Sequence, residues 1–544
     1  MDGDGACSLA GLYVCSTIGV MCSERRPVLV SAFRLVAVVL AVLVGLVAGC
    51  SADQGEAFDV AVAATVEALR AEAPTVEPTV VEPTATPEPV PTVPVTYDGV
   101  YSIEVDGSGD YATIEEALEQ VTNGAELQLG AGTFPITTTL VIDKDIVLTG
   151  AGQNSTTIRN TSRNLIMTVD EAEVTITDLT TYGGGGVRVK GSEIDIQRVT
   201  FKQSSSYGLS ISDSVATVTD STAKDNEGGF NLAAKTSGIA SNNTAQNNQG
   251  HGFVIYGSDD MELTSNTSND NVSSGFAWRG GGSSAASYNT AQNNGLAGFE
   301  TNGTATVKLT RNTAQNNQAS GFLIQGAATE LTRNTSKDNA GAGFVWFDQA
   351  SGVASYNSAQ NNQNSGFVIS GSAAPELRGN TSTGNAGAGF VWFQKASGVA
   401  SNNTAQNNQN AGFSFLGDVV LELTGNKSLD NRYSGFTFWD RAVVDLTANT
   451  SKDNAEAGFA WFGEASGVAS NNTAQNNQNS GFIISESAAP SLFYNTSKDN
   501  AQAGFVWVGE ASGVASNNTA QNNLYSGFDN QSSGDLELWN NNEE

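Results

Sequence analysis

Residues 472–484 read NTAQNNQNSGFII, and variants of this stretch recur through the second half of the chain. The Gly-Phe pair returns fourteen times between Phe230 and Phe528, and twelve of the thirteen intervals are 23 residues long, the other 22. Two asparagine positions, represented by Asn472 and Asn477, keep the same period, and only Ala or Ser stands two residues after the first of them. A constant period of this length is typical of a repeat protein in which each copy is one structural unit.

The segments between the asparagines and glycines are only two to five residues long, which favours short strands joined by tight corners over pairs of helices. If the copies stack, equivalent asparagines lie about 4.8 Å apart. Each inward amide can then bond to the neighbouring backbone and to the next asparagine, and Asn also tolerates a left-handed corner. The Phe column and the Ala/Ser column would fill the interior. We therefore predict an all-β parallel β-helix of roughly nineteen coils.

The pattern N-T-A-Q-N-N-x-x-x-G-F-x-W/I resembles the repeats of right-handed parallel β-helix proteins of the pectin-lyase-like superfamily, in particular NosD-type and carbohydrate-associated repeats. Residues 106–118, DGSGDYATIEEAL, are similar to the N-terminal entry of pectin methylesterases. That resemblance implies a right-handed coil and a short helix that caps its open end, and Thr113 with Glu116 forms a capping box. We assign residues 97–204 to the cap and irregular first coils, and residues 205–544 to the regular 23-residue repeats.

The first 96 residues carry features of export. Arg25 and Arg26 precede an apolar run over 35–47, and Val47-Ala48-Gly49-Cys50 resembles the bacterial lipobox. The resemblance implies a signal peptide over 1–49, with Met21 as an alternative start, and lipidation of Cys50. An ordinary cleaved signal or a single membrane span is the alternative. Residues 57–72 are expected to form a short helix and the proline-rich residues 73–96 a stalk. We expect an extracytoplasmic, membrane-anchored lipoprotein at the outer membrane or cell surface.

Acidic residues outnumber basic ones 56 to 25, and the net charge of −31 argues against nucleic-acid binding. The GxxDFIFG and LGRPW strings of pectin methylesterases and the Trp-Ile-Asp-His motif of pectate lyases do not occur. Gly250-His251-Gly252 resembles the Gly-His-Gly of polygalacturonases, but the paired aspartates expected upstream are missing. His251, in a variable slot of the repeat, is interpreted as a surface residue. Arg311 and Arg333 share a column in consecutive coils beside Lys308 and Glu330, and with His251 they remain the catalytic candidates.

No cofactor or metal is predicted, although calcium stays open because acidic residues recur in columns. A calcium ion needs six to eight converging oxygens, which one column does not supply. In the Phe-x-Trp register, Phe344 and Trp346 should point inward, so Val345 and Phe347 should point outward. Recurring outward side chains give the predicted ligand-binding residues: Tyr256, Phe347, Phe393, Trp439 and Phe462.

No second element is available to cover this outer surface, and exposed apolar patches usually have a use. We predict a non-catalytic, lipid-anchored β-helix that binds extracellular polysaccharide or a partner surface through the aromatic residues. Packing of these side chains at a corner would be the structural alternative. Two other functions remain open: a polysaccharide lyase or glycoside hydrolase acting near His251, Arg311 or Arg333, and a structural spacer or self-associating rod.

Overall fold

A computed structural model describes residues 99–326 and 328–544 of the chain. The predicted signal peptide, the lipidated Cys50, the helix over 57–72 and the stalk over 73–96 lie outside the described residues. Within them the chain forms 55 strands and one short helix. The strands pair in parallel, and each strand pairs with the equivalent strand of the neighbouring coil.

A regular coil has three strands, for example Phe344–Phe347, Ser351–Ser355 and Ser358–Gln360. They define three faces of the solenoid, which we call the Phe face, the long-strand face and the short-strand face. The strands of the Phe face are Leu140–Ile142, Met167–Asp170, Val187–Lys190, Tyr207–Ser212, Gly228–Ala233, Phe253–Tyr256, Phe276–Gly280, Phe299–Gly303, Phe322–Gln325, Phe344–Phe347, Phe367–Ile369, Phe390–Gln394, Phe413–Gly417, Phe436–Phe438, Phe459–Trp461, Phe482–Ile484, Phe505–Gly509 and Phe528–Ser532.

Two strands, Glu173–Gly183 and Glu193–Lys202, continue from the long-strand face onto the short-strand face. The other strands of the long-strand face are Gly99–Ile103, Ala125–Leu129, Ile146–Gly150, Val215–Thr219, Ser237–Ser241, Met261–Thr264, Ser283–Ser287, Thr306–Thr310, Thr329–Thr332, Ser351–Ser355, Ala374–Arg378, Ser397–Ser401, Val420–Thr424, Val443–Thr447, Ser466–Ser470, Ala489–Phe493, Gly513–Ser516 and Leu536–Trp539. The other strands of the short-strand face are Gly132–Ile136, Thr156–Asn160, Thr222–Lys224, Thr244–Gln246, Thr267–Asn269, Thr290–Gln292, Thr313–Gln315, Thr335–Lys337, Ser358–Gln360, Thr381–Thr383, Thr404–Gln406, Lys427–Leu429, Thr450–Lys452, Thr473–Gln475, Thr496–Lys498, Thr519–Gln521 and Asn542–Glu543.

The predicted all-β parallel β-helix of about nineteen coils is confirmed. Equivalent residues of successive coils lie in register, as in the pairing of Phe344 with Phe367. Their rings stack with centroids 4.8 Å apart, close to the spacing of neighbouring strands. The Phe, Trp and Ala columns are buried, which confirms the predicted interior.

Two asparagine ladders flank the short-strand face. Asn403 donates from its backbone N–H and its Nδ2 to Oδ1 of Asn426, at 2.9 and 3.0 Å, and its Nδ2 also donates to the carbonyl oxygen of Leu377 at 3.0 Å. Asn408 makes the corresponding bonds to Asn431 in the second ladder. The predicted inward amides are therefore confirmed. The left-handed backbone lies one residue earlier, as at Asn402 with φ 54°.

The interior is filled by pairing large residues with small ones across the coil. Trp346, Trp392, Trp461 and Trp507 are buried, and six residues after each stands a glycine, as Gly398 follows Trp392. The intervening coils carry a smaller residue on the Phe face and a larger one opposite, as Ile369 with Pro375. The alternation keeps the core volume nearly constant from coil to coil, as close packing requires.

The helix Ile114–Gln120 stands where the first coil would otherwise place a strand of the Phe face. The hydroxyl of Thr113 accepts a hydrogen bond from the backbone N–H of Glu116 at 3.1 Å, so the predicted N-cap is confirmed. Lys144 Nζ donates to carbonyl oxygens at the end of the helix, those of Leu118 and Val121, both at 2.8 Å. Over residues 99–326 and 328–544, no helix has the length and apolar character that a membrane crossing requires.

Candidate functional site

The outer surface of the Phe face forms a shallow trough along the solenoid. Side chains one residue after each Phe point outward; Val391 and Ala460 are only 4% and 1% exposed, and others in the column are half-buried, namely Leu323, Val345, Ser414, Ile483 and Val506. The residues two before each Phe, such as Ala388 and Ser365, are buried as well. No described helix or strand lies over this face, so side chains on its two edges must shield them. These two columns form the floor of the trough, and its edges form the walls.

One wall is the column of side chains three residues after each Phe, which we call the outer column. Phe393 pairs in register with Leu416, and Trp439 and Phe462 follow in the next two coils. Phe347 lies two coils before Phe393, with the small Ser370 between them. Four successive coils therefore carry Phe, Leu, Trp and Phe, and all five predicted ligand-binding residues lie in this one column. Leu416, which the sequence analysis missed, completes this apolar ridge.

The rings of Trp439 and Phe462 stack on each other, with centroids 4.1 Å apart and an interplanar angle of 15°. One face of each ring is therefore covered by the other ring. This stacking is part of the local packing that the sequence analysis gives as the structural alternative. Trp439 is still 37% exposed, and Phe347, Phe393 and Phe462 are half-buried. A ligand in the trough can meet the ring edges and the faces that the stack leaves free.

The opposite wall is formed by the corner that precedes each Phe. Tyr433, 44% exposed, lies there in the same coil as Trp439, with the buried Ser434 and Thr437 between them. This wall contacts the floor directly. The hydroxyl of Ser434, in the floor, donates to a carboxylate oxygen of Glu456, in this wall, at 3.3 Å. Tyr433 is therefore a second residue that the sequence analysis missed. Its position three residues before Phe436, where most copies carry Ala, Gly, Asn or Ser, could have marked it.

The N-terminal part of the same trough is polar. Tyr256 and Arg279 are neighbours in the outer column, and Tyr256 is exposed. Arg279 Nη2 lies 3.1 Å from Oε1 of Glu300, which occupies the floor one coil further on and is buried. Glu300 Oε2 accepts from the hydroxyl of Ser274 at 2.7 Å. His251, in the floor column, lies 3.3 Å from Arg279 through its Nε2. These side chains bridge the trough and close it at this end.

His251 is half-buried among these side chains, an environment that its interpretation as a surface residue in a variable slot does not include. Its slot holds Ala or Ser in all twelve later coils, as at Ser274 and Ala297, and those residues up to Ala503 are buried. The imidazole reaches the following coil, where it contacts the Ser274 backbone N–H and Arg279. Repeat spacing alone does not say how much of a slot is open to solvent.

The electrostatics of this cluster keep His251 neutral. Burial lowers the pKa of the imidazole, the positive charge of Arg279 lowers it further, and Glu300 and the Ser274 backbone oppose the shift. Nδ1 accepts the Ser274 backbone N–H at 3.2 Å, so the neutral ring carries its proton on Nε2. Burial is also the main cause of the raised pKa of Tyr207, which Arg279 partly offsets.

This arrangement is better suited to holding an acceptor oxygen than to removing a proton. With Nε2 protonated, His251 has no free lone pair, and both carboxylate oxygens of Glu300 are already paired. Glycoside hydrolysis needs two carboxyl groups flanking the bond, and no second carboxylate contacts Glu300 in the described part of the chain. That part also contains no group of three or more His, Cys, Asp or Glu placed to hold a metal ion, so calcium binding stays a prediction without a ligand set.

The other two catalytic candidates lie elsewhere, at the corner between the long-strand and short-strand faces. Arg311 and Arg333 occupy adjacent coils, as predicted, and Lys308 Nζ lies 4.0 Å from a Glu330 carboxylate oxygen beside them. The structure does not bring either arginine to His251. Any chemistry at His251 would therefore proceed without them.

Protonation of His251 should weaken the fold at acidic pH. Because its pKa is lowered in the folded chain from the ordinary 6.5, the unfolded chain binds more protons as the pH falls through that range. Its contribution to stability is complete above pH 6.5 and is lost toward the lower folded pKa. We expect the free energy of unfolding, measured with urea between pH 7.5 and 5, to fall less steeply for His251→Ser.

His251 is the only histidine, so the difference between the two slopes reports this residue alone. Serine occupies the same slot one coil later, which makes it the closest substitution available. Equal slopes for the two proteins would contradict the predicted shift.

The sequence matches the family described as "Right handed beta helix region" over residues 164–313, 278–400 and 390–542, together well over half of the chain. No curated protein matches it. Among solved structures, the Dettilon tailspike protein is 14% identical with a TM-score of 0.37, covering 52% of this chain and 64% of the tailspike. The A-module of the Azotobacter vinelandii mannuronan C-5 epimerase AlgE4 is 12% identical with a TM-score of 0.24, covering 81% and 99%.

Pectate lyase Pel9A is 13% identical with a TM-score of 0.24, covering 58% of this chain and 80% of the lyase. The chain thus spans less than two thirds of the tailspike. At these identities and TM-scores the likenesses transfer no activity to this chain.

Proposed function

Because the chain belongs to the right-handed β-helix family, a scaffold on which function resides in the side chains of one face, we propose that it binds an extended polysaccharide in the trough of the Phe face without catalysing a reaction. This membership also gives the right-handed winding that the resemblance implies. One observation carries the proposal: an outward sheet surface with a largely shielded floor and, among residues 99–326 and 328–544, no covering element, walled by Phe393, Leu416, Trp439 and Phe462.

The dimensions of the trough suit a linear polymer. Beyond the bridging cluster, from the coil of Phe322 to that of Phe459, the solenoid advances six coils, or roughly 29 Å at ~4.8 Å each. The side chains of the apolar ridge recur along the axis of the solenoid, so several sugar units of a polymer lying along that axis could contact equivalent side chains. Several modest contacts of this kind add up to useful affinity without a deep pocket.

The charge beside the ridge favours a neutral polymer over an acidic one. Exposed carboxylates follow the outer column at Asp418, Asp440 and Glu464, and Arg441 pairs with Asp418 at 2.8 Å. Carboxylate oxygens accept hydrogen bonds from sugar hydroxyls, whereas they repel uronate or sulfate groups. A partner protein with an apolar face remains the alternative ligand.

The predicted anchor and stalk would complete this function by holding the trough away from a membrane. Lipidation at Cys50 and a proline-rich spacer over 73–96 are consistent with display of the β-helix at the outer membrane or cell surface. We include this placement in the proposal, and labelling of intact cells with an antibody against the repeats tests it. If the antibody labelled only permeabilised cells, that result would contradict this placement.

Binding should depend on the aromatic wall. In a screen of immobilised polysaccharides followed by titration calorimetry with the best ligand, we expect Phe393→Ala with Trp439→Ala to weaken binding by at least about 30-fold, because central aromatic contacts typically contribute ~2 kcal/mol each. The matched control is Phe493→Ala with Tyr494→Ala, two aromatic residues at a different corner. Equal losses in both variants, or no binding to any polysaccharide, would contradict the proposal.

A second candidate is a polysaccharide lyase acting at the polar end of the trough. The grouping of His251, Arg279 and Glu300 favours it, although the proton on Nε2 does not. β-Elimination creates a carbon–carbon double bond that absorbs ultraviolet light. An ultraviolet absorbance that increases during incubation with acidic polysaccharides, and that is absent with His251→Ser, would support the lyase. The same result would contradict binding without catalysis.

A further inference from the structure

Four bulky residues occupy consecutive coils at the corner between the long-strand and short-strand faces: Tyr288, Arg311, Arg333 and Tyr356. Each adopts a left-handed backbone, with φ between 54 and 58°. Seven other coils place Asn or Gly at this position, where the left-handed conformation is less costly, and Arg198 and Tyr494 are the other bulky residues that adopt it there. Backbone strain of this kind is often retained where a side chain has a function.

Each of the two arginines contacts a tyrosine of a neighbouring coil. The guanidinium of Arg311 lies over the ring of Tyr288 in the preceding coil, 5.5 Å from its centroid, and Nη1 donates to the Tyr288 hydroxyl. The guanidinium of Arg333 lies over Tyr356 in the following coil, 5.7 Å from its centroid. Two positively charged side chains of adjacent coils are therefore bracketed by two tyrosines.

Neither charge is neutralised by a carboxylate in the part of the chain that the structure describes. Arg198, Arg279, Arg378 and Arg441 each have a carboxylate oxygen within 4 Å, whereas Arg311 and Arg333 have none. This corner is a local exception on a chain with a net charge of −31. Two adjacent, unpaired guanidinium groups repel each other, and an anion between them would relieve that repulsion.

We propose that Arg311 and Arg333 form a binding site for a tetrahedral oxyanion, a sulfate or phosphate group carried by a polymer. A planar carboxylate has two oxygens and pairs with the fork of one arginine. A sulfate or phosphate ester has three free oxygens and can pair with two guanidiniums from adjacent coils. The ring of each tyrosine fixes its arginine in place before binding, so less side-chain entropy is lost. The site lies on a different corner from the trough and does not depend on its function.

The test measures binding of the full chain to dextran sulfate and to uncharged dextran by surface plasmon resonance at low and at physiological salt. We expect binding to dextran sulfate only, weakening as salt rises. Arg311→Gln with Arg333→Gln should reduce the affinity at least tenfold. Arg311→Lys with Arg333→Lys should restore only part of it, because lysine keeps the charge but not the bidentate fork.

The matched control is Arg188→Gln with Arg432→Gln, which removes two other exposed arginines and the same net charge. Less than a twofold loss in the control supports a specific site, and an equal loss would overturn the proposal. Linear polyphosphate should compete with dextran sulfate if the shared tetrahedral group is what binds. Binding to phosphatidylglycerol vesicles without binding to either polymer would assign the arginines to a lipid surface and refute a polymer ligand.

Discussion

Asn403→Ala should destabilise the β-helix by about 4 kcal/mol or more, because it leaves several buried groups without partners at ~1–3 kcal/mol each. Asn403 makes five hydrogen bonds of 2.9–3.0 Å, three as a donor and two as an acceptor from Asn380. The substitution removes the side-chain donor to the buried Leu377 carbonyl oxygen and the acceptor of the buried Asn380 backbone N–H, and it leaves the Asn380 Nδ2 with the Ala354 carbonyl oxygen as its remaining partner. Urea unfolding followed by circular dichroism measures the loss.

The control lies one residue earlier in the chain. Asn402→Gly changes an exposed residue with φ 54°, and the same position is already glycine in both neighbouring coils, at Gly379 and Gly425. We expect a change within about 0.5 kcal/mol, as for most surface substitutions. If Asn402→Gly were as damaging as Asn403→Ala, the ladder would not be the source of the stability.

A rod of repeats can also lose stability locally. Each coil contacts mainly its two neighbours, so a broken ladder can divide the rod into separately unfolding parts. A broadened or two-step transition for Asn403→Ala would therefore agree with the ladder as a link between coils. Unchanged cooperativity together with an unchanged midpoint would contradict it.

Gly398→Ala should have a comparable effect, through overpacking. A Cβ at this position would lie 2.3 Å from the carbonyl oxygen of Pro375, and the φ of +125° is one that side chains disfavour. Strain and overpacking each cost about 1–3 kcal/mol, so we expect a loss of roughly 2–6 kcal/mol in unfolding experiments. The glycine is needed because its backbone conformation would bring a Cβ against the backbone of Pro375 in the preceding coil.

Gly257→Ala is the control for backbone conformation. Its φ is +59°, and a Cβ there would meet no atom within 4 Å. We expect a loss near 1 kcal/mol, the usual cost of a left-handed residue other than glycine. Equal losses at the two glycines would show that backbone conformation alone accounts for both, and that the close approach of Pro375 to Gly398 contributes nothing.

The sequence by itself determined the solenoid and its interior. A constant period places equivalent residues at equivalent positions, so the columns of Phe, Ala and Asn follow from counting alone. The inward direction of Trp346 and the outward direction of Phe347 followed from the twofold alternation of a strand. The neighbour relation of Arg311 and Arg333 followed from the period in the same way.

Only the tertiary structure decided which outward columns share one surface. His251 meets Arg279 and Glu300, and Tyr433 faces the same floor as Trp439, because each corner turns the chain by an amount set by its left-handed residue and its packing. The repeat period contains no information about that angle. For the same reason, the sequence indicated that His251 lies at the surface, but only the packed coils show that it joins a half-buried charged cluster at the end of a trough.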